Sequence, residues 1–183
     1  MDAMRGTTQR GFAAMLTVLA VCAAGVQAQK LQSFSYPEDG FKASFPAEPQ
    51  LVKKSQAGKT GSIELHSYCS LAGDASFCVV VISNGVEATG LAPEMMVQLV
   101  KQGVLTSPGT HKVSDTPVDL DGHTGVALEA ASDASHTSTR IYAVGETVYQ
   151  TIVTTSVPAS KTAKTVDAAR FFGSFKLIGR KGN

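Results

Sequence analysis

Two of the three cysteines in this 183-residue sequence are placed to react with each other. Cys69 and Cys78 lie at equal distances from Gly73-Asp74 in the run His66-Ser-Tyr-Cys-Ser-Leu-Ala-Gly-Asp-Ala-Ser-Phe-Cys78. A two-residue turn with Gly73 first, as a type II′ turn prefers, pairs Ala72 with Ala75 and makes 69 and 78 a non-hydrogen-bonded pair, the kind that brings side chains closest. The chemistry expected of them is a structural disulfide, which belongs to an oxidising compartment. The same register puts Ile63, Leu65, Leu71, Val80 and Ile82 on the cysteines' face and His66, Tyr68, Phe77, Val79 and Val81 on the other, so the bridge is expected to look into the core.

Other chemical motifs fail on their neighbours. Gly58-Lys59-Thr60 ends like a phosphate-binding loop, but that signature needs a glycine where Lys53 stands and a helix after it, and a strand follows instead. Asp119-Leu-Asp121-Gly122 has the look of a calcium loop, yet aligning its glycine puts Pro117 and Leu128 at ligand positions, and an Asp-Gly hairpin turn accounts for the residues. His66, His111, His123 and His136 have no zinc spacing, so no metal or cofactor is expected. Ser135 and His136 are adjacent in a turn and cannot act as nucleophile and base across strands, which leaves a hydrolase as the weakest functional reading. Arg140 shares a strand face with Tyr142 and Tyr149. Together they could line a small-molecule groove, or the arginine could snorkel over a helix.

The elements that position these residues are mostly strands. Phe41, Ala43 and Phe45 alternate with polar residues after the turn Pro37-Glu-Asp-Gly40, as in a half-buried strand. Residues 51–56 and 61–71 form a hairpin about Gly58–Gly61 that leads into the cysteine hairpin. Residues 84–91 read as a loop, and Pro93 opens a helix with Met96, Leu99, Val100 and Gly103 on one side. An antiparallel meander then runs through 113–120, 123–131, 137–144 and 147–155, with Tyr142 opposite Tyr149 and apolar residues on both faces. Ser160 caps a second helix with a stripe of Ala163, Val166, Ala169 and Phe172, ended by Gly173, before a last strand at 174–177. Two helices and an antiparallel sheet predict an α+β fold, an α-β-α sandwich in which helices cover the sheet. Without tryptophan and with few aromatics, its core should be mainly aliphatic.

The N-terminus reads as an export signal. Arg5 and Arg10 precede an apolar stretch from Gly11 to Gly25, too short to span a bilayer comfortably, and Val26-Gln27-Ala28 offers a cleavage site between Ala28 and Gln29. Residues 1–28 are thus expected to be a signal peptide and 29–183 a single domain, periplasmic or secreted, with no membrane span after cleavage. Leu19-Ala20-Val21-Cys22 resembles a lipobox with one unsuitable residue, Val21, so Cys22 is a candidate lipid anchor. Losing Asp2, Arg5 and Arg10 takes Lys+Arg from 16 to 14 and Asp+Glu from 15 to 14. A neutral domain whose basic residues cluster only in the tail Lys176, Arg180, Lys181 does not read as a nucleic-acid binder.

Phe34-Ser-Tyr-Pro-Glu-Asp-Gly-Phe-Lys-Ala-Ser-Phe-Pro46, Leu120-Asp-Gly-His-Thr-Gly125, Arg140-Ile-Tyr142 and Phe171-Phe-Gly-Ser-Phe-Lys-Leu177 together resemble the PsbP-like superfamily, most of all its bacterial secreted branch of unknown function. Ala47-Glu48-Pro49 stands where a tryptophan often follows the early segment. The resemblance implies a helix-covered antiparallel sheet and a role in binding or assembly rather than catalysis, with a protein or envelope component as partner. It carries over no functional residue.

Overall fold

The alternation Phe41-Lys-Ala-Ser-Phe45 buries its phenylalanines and alanine on one side. In the computed structural model, which describes residues 30–156 and 164–179, this segment is β2 (Phe41–Phe45), paired antiparallel with β1 (Gln32–Tyr36). Seven longer strands follow: β3 (Gln50–Ala57), β4 (Ser62–Ala72), β5 (Ala75–Ser83), β6 (His111–Leu120), β7 (His123–Ala131), β8 (Ser135–Val144) and β9 (Thr147–Ser156). They form one antiparallel sheet in the order β3-β4-β5-β9-β8-β7-β6. The last strand, β10 (Lys176–Leu177), pairs with the other edge of β2 to complete a separate three-stranded sheet.

The expected registers hold at the two hairpins where turn chemistry is strongest. Ala72 pairs with Ala75 and Cys69 with Cys78; Tyr142 pairs with Tyr149. Gly73 and Gly145 take positive φ at the first turn position, and Asp121 and Gly122 both do so in theirs. Hairpins favour these primed geometries because their twist matches that of the strands.

The α-β-α sandwich is wrong. The described residues are β-rich, with three short helices among them: α1 (Gly85–Thr89), α2 (Pro93–Leu105) and α3 (Lys164–Ser174). Apolar residues on both faces of the strands do signal two covered faces, but one cover is largely a second sheet. Phe41, Ala43 and Phe45 of β2 meet Tyr68, Phe77, Val79, Val81, Tyr149 and Val153 of the large sheet, with Phe171 and Phe175 from the α3 segment completing the cluster. Strands as short as β1, β2 and β10 show too little alternation to announce a separate layer. The buried apolar residues as a whole are mainly aliphatic, as expected, but seven of the twelve in this cluster are aromatic. The aromatics are few but concentrated there.

On the reverse face, Ile82, Ile141 and Val148 pack with Met96 and Val97 of α2. That helix is rotated from the expected stripe, for Val97 is buried and Leu99 is 54% exposed. The segment 84–91, read as a loop, contains α1. It runs between Asn84 and Gly90, both left-handed, and the Gly90 N–H returns to the Val86 carbonyl. In α3, Phe171 is buried while Ala169 is exposed; Ser160 and Ala163 lie outside the described residues. Cys69 and Cys78 form a disulfide on the α2 side of the sheet, half-buried rather than core-facing, and Leu71 beyond them is 73% exposed. The helices do not extend their cover that far along the hairpin.

Candidate functional site

The turn between β1 and β2 carries a buried carboxylate. Gly40 takes φ 73°, closing a turn in which the Asp39 N–H donates to the Tyr36 carbonyl at 3.1 Å, and Asp39 is thereby directed between the two sheets. There it meets two side chains from the same face of β4. The Tyr68 hydroxyl donates to Asp39 Oδ2, and His66 Nδ1 lies 2.9 and 2.8 Å from the two carboxylate oxygens. From β9, the Tyr149 hydroxyl donates to the Asp39 main-chain carbonyl at 2.9 Å. One residue of the small sheet's turn thus joins two strands of the large sheet.

Buried carboxylates are tolerated only when so partnered. Burial, and then the hydrogen bond to Asp39, push the Tyr68 phenol well above its ordinary pKa. Tyr36 stacks on this ring at 4.2 Å, and burial raises its phenol as well. An aspartate beside a histidine can orient a general base, and in covalent catalysis that base would act on a neighbouring hydroxyl or thiol. The cross-strand neighbours of His66 are Lys53 and Val81, neither a hydroxyl nor a thiol. The geometry is that of a latch between layers.

Sequence reasoning missed this cluster. His66 and Tyr68 were placed correctly on one face, but Asp39 is 27 residues from His66 and belongs to a turn whose Pro-Glu-Asp-Gly composition already explained itself locally. The available signal was a histidine and a tyrosine two apart on a face destined for burial, which together demand a polar partner.

Arg140, Tyr142 and Tyr149, the residues expected to line a groove, have different neighbours among the described residues. Arg140 Cζ lies 4.8 Å from the centre of the Phe172 ring, snorkelling over α3, and Tyr142 lies parallel to Phe175 at 6.5 Å. Tyr149 alone borders a cleft, of about 340 Å³, between the Gly40 turn, the β8–β9 hairpin tip and Leu177. The other motifs are occupied by folding. Gly58 approaches so close to α1 that a Cβ would meet the Ala88 carbonyl oxygen at 2.5 Å, and the Lys59 N–H donates to that oxygen at 2.7 Å. The phosphate-loop lookalike caps the end of a helix. Asp119 Oδ1 accepts the Gly122 N–H at 3.1 Å within its own turn. His136 Nε2 lies 3.4 Å from Glu129, and among the described residues no three His, Cys, Asp or Glu side chains converge as metal ligands. Cys22, Ala28 and Gln29 lie outside the described residues.

Two sheets packed face to face, with helices beside one and under the other, can be compared with known structures. The solution structure of cyanobacterial PsbP from Synechocystis sp. PCC 6803 matches 87% of this chain and 99% of its own length, at a TM-score of 0.52 and 16% sequence identity. The fold is PsbP-like. At that identity the PsbP-like likeness is one of backbone architecture, and the β-rich layering described above is part of it. A crystal structure of a protein of unknown function from Pseudomonas aeruginosa matches 69% of this chain and 83% of its own, at a TM-score of 0.38 and 10% identity. No sequence family and no curated protein matches the chain.

Proposed function

We propose that this chain is an exported, non-enzymatic module that binds or assembles with a protein or other component of the cell envelope. The observation that carries this reading is the occupancy of its reactive side chains: Asp39, His66 and Tyr68 hold one another, Arg140 lies on Phe172, and Cys69 is bonded to Cys78. These side chains are used as braces, which favours the surface as the working part. The PsbP-like fold and the disulfide support an extracytoplasmic setting. No helix among the described residues is long and apolar enough to cross a membrane. In this reading residues 1–28 are removed and 29–183 act as one domain.

Expression of the full sequence in a bacterial host, followed by fractionation and mass spectrometry, tests export: a periplasmic product beginning at Gln29 is expected. A cytoplasmic, uncleaved chain would sink the proposal. Palmitate incorporation lost in Cys22→Ser would establish the lipid-anchored form. Binding is tested by cross-linking in envelope extract, where one identified partner at near-stoichiometric yield is expected, and its absence would count against the module.

A further inference from the structure

The large sheet ends in two open edges built differently. In a two-residue hairpin the residues flanking the turn exchange both hydrogen bonds, and the direction of the backbone groups alternates from there. Counting back from Leu120 and His123, residue 117 of β6 faces outward, and that position is Pro117, which has no N–H to offer. A bulge between Lys112 and Ser114 further breaks that edge. Both are devices that discourage an added strand.

β3 has neither. Its eight pairs with β4 run without a register shift, and all eight residues are exposed. The Gly58 N–H bonds the Gly61 carbonyl, so the same count turns Gln56, Lys54 and Val52 toward β4 and Ser55, Lys53 and Leu51 outward. No described residue pairs with these outer groups. Leu51 and Val52 add exposed apolar surface, one on each face.

Charge selects the occupant. Lys53 and Lys54 form no ion pair among the described residues. Outward residues of one copy must oppose outward residues of another, so the two longest two-fold pairings of β3 with itself set either Lys53 against Lys53 or Lys54 against Lys54. Like charges directly opposite destabilise a ladder, whereas carboxylates there would stabilise it. We propose that the outer edge of β3 takes up an extended acidic segment of a partner protein as an added strand. Main-chain hydrogen bonds supply affinity, and the two lysines supply selectivity. This deepens the binding-module reading and rests on it.

The probe is a capped ten-residue threonine peptide with a central Glu-Glu pair, which puts one carboxylate on each face as Lys53 and Lys54 are, and a central Lys-Lys peptide is the control. Amide exchange by NMR should give several-fold protection of Leu51, Lys53 and Ser55 with the glutamate peptide alone. Lys53→Pro removes an outward N–H, the group that Pro117 lacks on β6, together with one of the two charges, and should abolish protection at Leu51 and Ser55 without lowering Tm. The double variant Lys53→Glu/Lys54→Glu, which keeps every main-chain group, should lose it too. Absent protection, equal protection by the lysine peptide, or a β3-paired dimer of the chain alone would overturn the proposal. Envelope cross-linking separates it from the broader reading: a Lys53→Pro protein that keeps its stoichiometric partner refutes the edge and leaves the module standing.

Discussion

Asp39 shows how one residue can be committed to structure by the company it keeps. Its carboxylate is held by Tyr68 and His66 and its carbonyl by Tyr149, so removing any donor leaves a buried acceptor short of a partner. Tyr68→Phe should cost about 1–3 kcal/mol, the usual penalty for stranding a buried polar group, measured by urea denaturation at pH 7. The same phenol has a signature at high pH. In the unfolded chain tyrosine ionises near pH 10, while Tyr68 in the fold keeps its proton, so the native state binds more protons and stability must fall as pH rises above about 10. Tyr36 and Tyr142 are shifted in the same direction. Tm against pH should therefore decline on the alkaline side in the wild type and decline less steeply in Tyr68→Phe; parallel curves would refute the assignment.

At the scale of elements, close approaches fix how strands and helices meet. Gly125 lies opposite Tyr142, and a Cβ there would collide with the Ile141 carbonyl oxygen and meet the tyrosine Cδ1 at 2.5 Å, so both the β8 main chain and the ring close over the glycine. Gly125→Ala forces main chain as well as ring to shift and should lower stability by roughly 1–3 kcal/mol, as overpacking does; an unchanged unfolding midpoint would contradict this. A second tie joins α2 to β6, where Lys101 Nζ lies 2.7 Å from Asp115 Oδ2. Its hydrogen bond from Lys101 holds the Asp115 carboxyl below its ordinary pKa, so the stabilisation is present above pH 4 or thereabouts and is lost as pH falls through the lowered value. Asp115→Asn should cost at most about 1 kcal/mol at neutral pH and progressively less as the medium is acidified below about pH 4, as a series of thermal melts would establish.

Hairpins were legible in the sequence because glycine position and period-two alternation act locally: Gly73 and Gly145 by themselves set the pairings of Cys69 and Tyr142. What escaped was contact between segments distant along the chain. β2 could be read as strand and β1 was not, and nothing within either said that the pair would lie over Phe77 and Tyr149. The helix-covered sheet was inferred from counting helices, and α3 proved to share its face with a second sheet. Arg140 had two readings, and only the position of Phe172 chose between them.

For the molecule as a whole, the disulfide staples one hairpin. It spans nine residues, so its contribution should be modest, about 2–3 kcal/mol by loop closure, and Cys69→Ser/Cys78→Ser should remain folded with a lowered Tm. Complete unfolding of that variant at room temperature would mean the bridge carries more than one hairpin. The small sheet has a different consequence. β2 is paired on one side by β1 and on the other by β10, and the Ser44 N–H is held by the Ser174 hydroxyl 130 residues later. During synthesis β1 and β2 must therefore wait for residues some 130 positions further along the chain before their layer can close. At ribosomal speed that delay is on the order of ten seconds, during which Phe41 and Phe45 have no β10 or α3 segment to pack against.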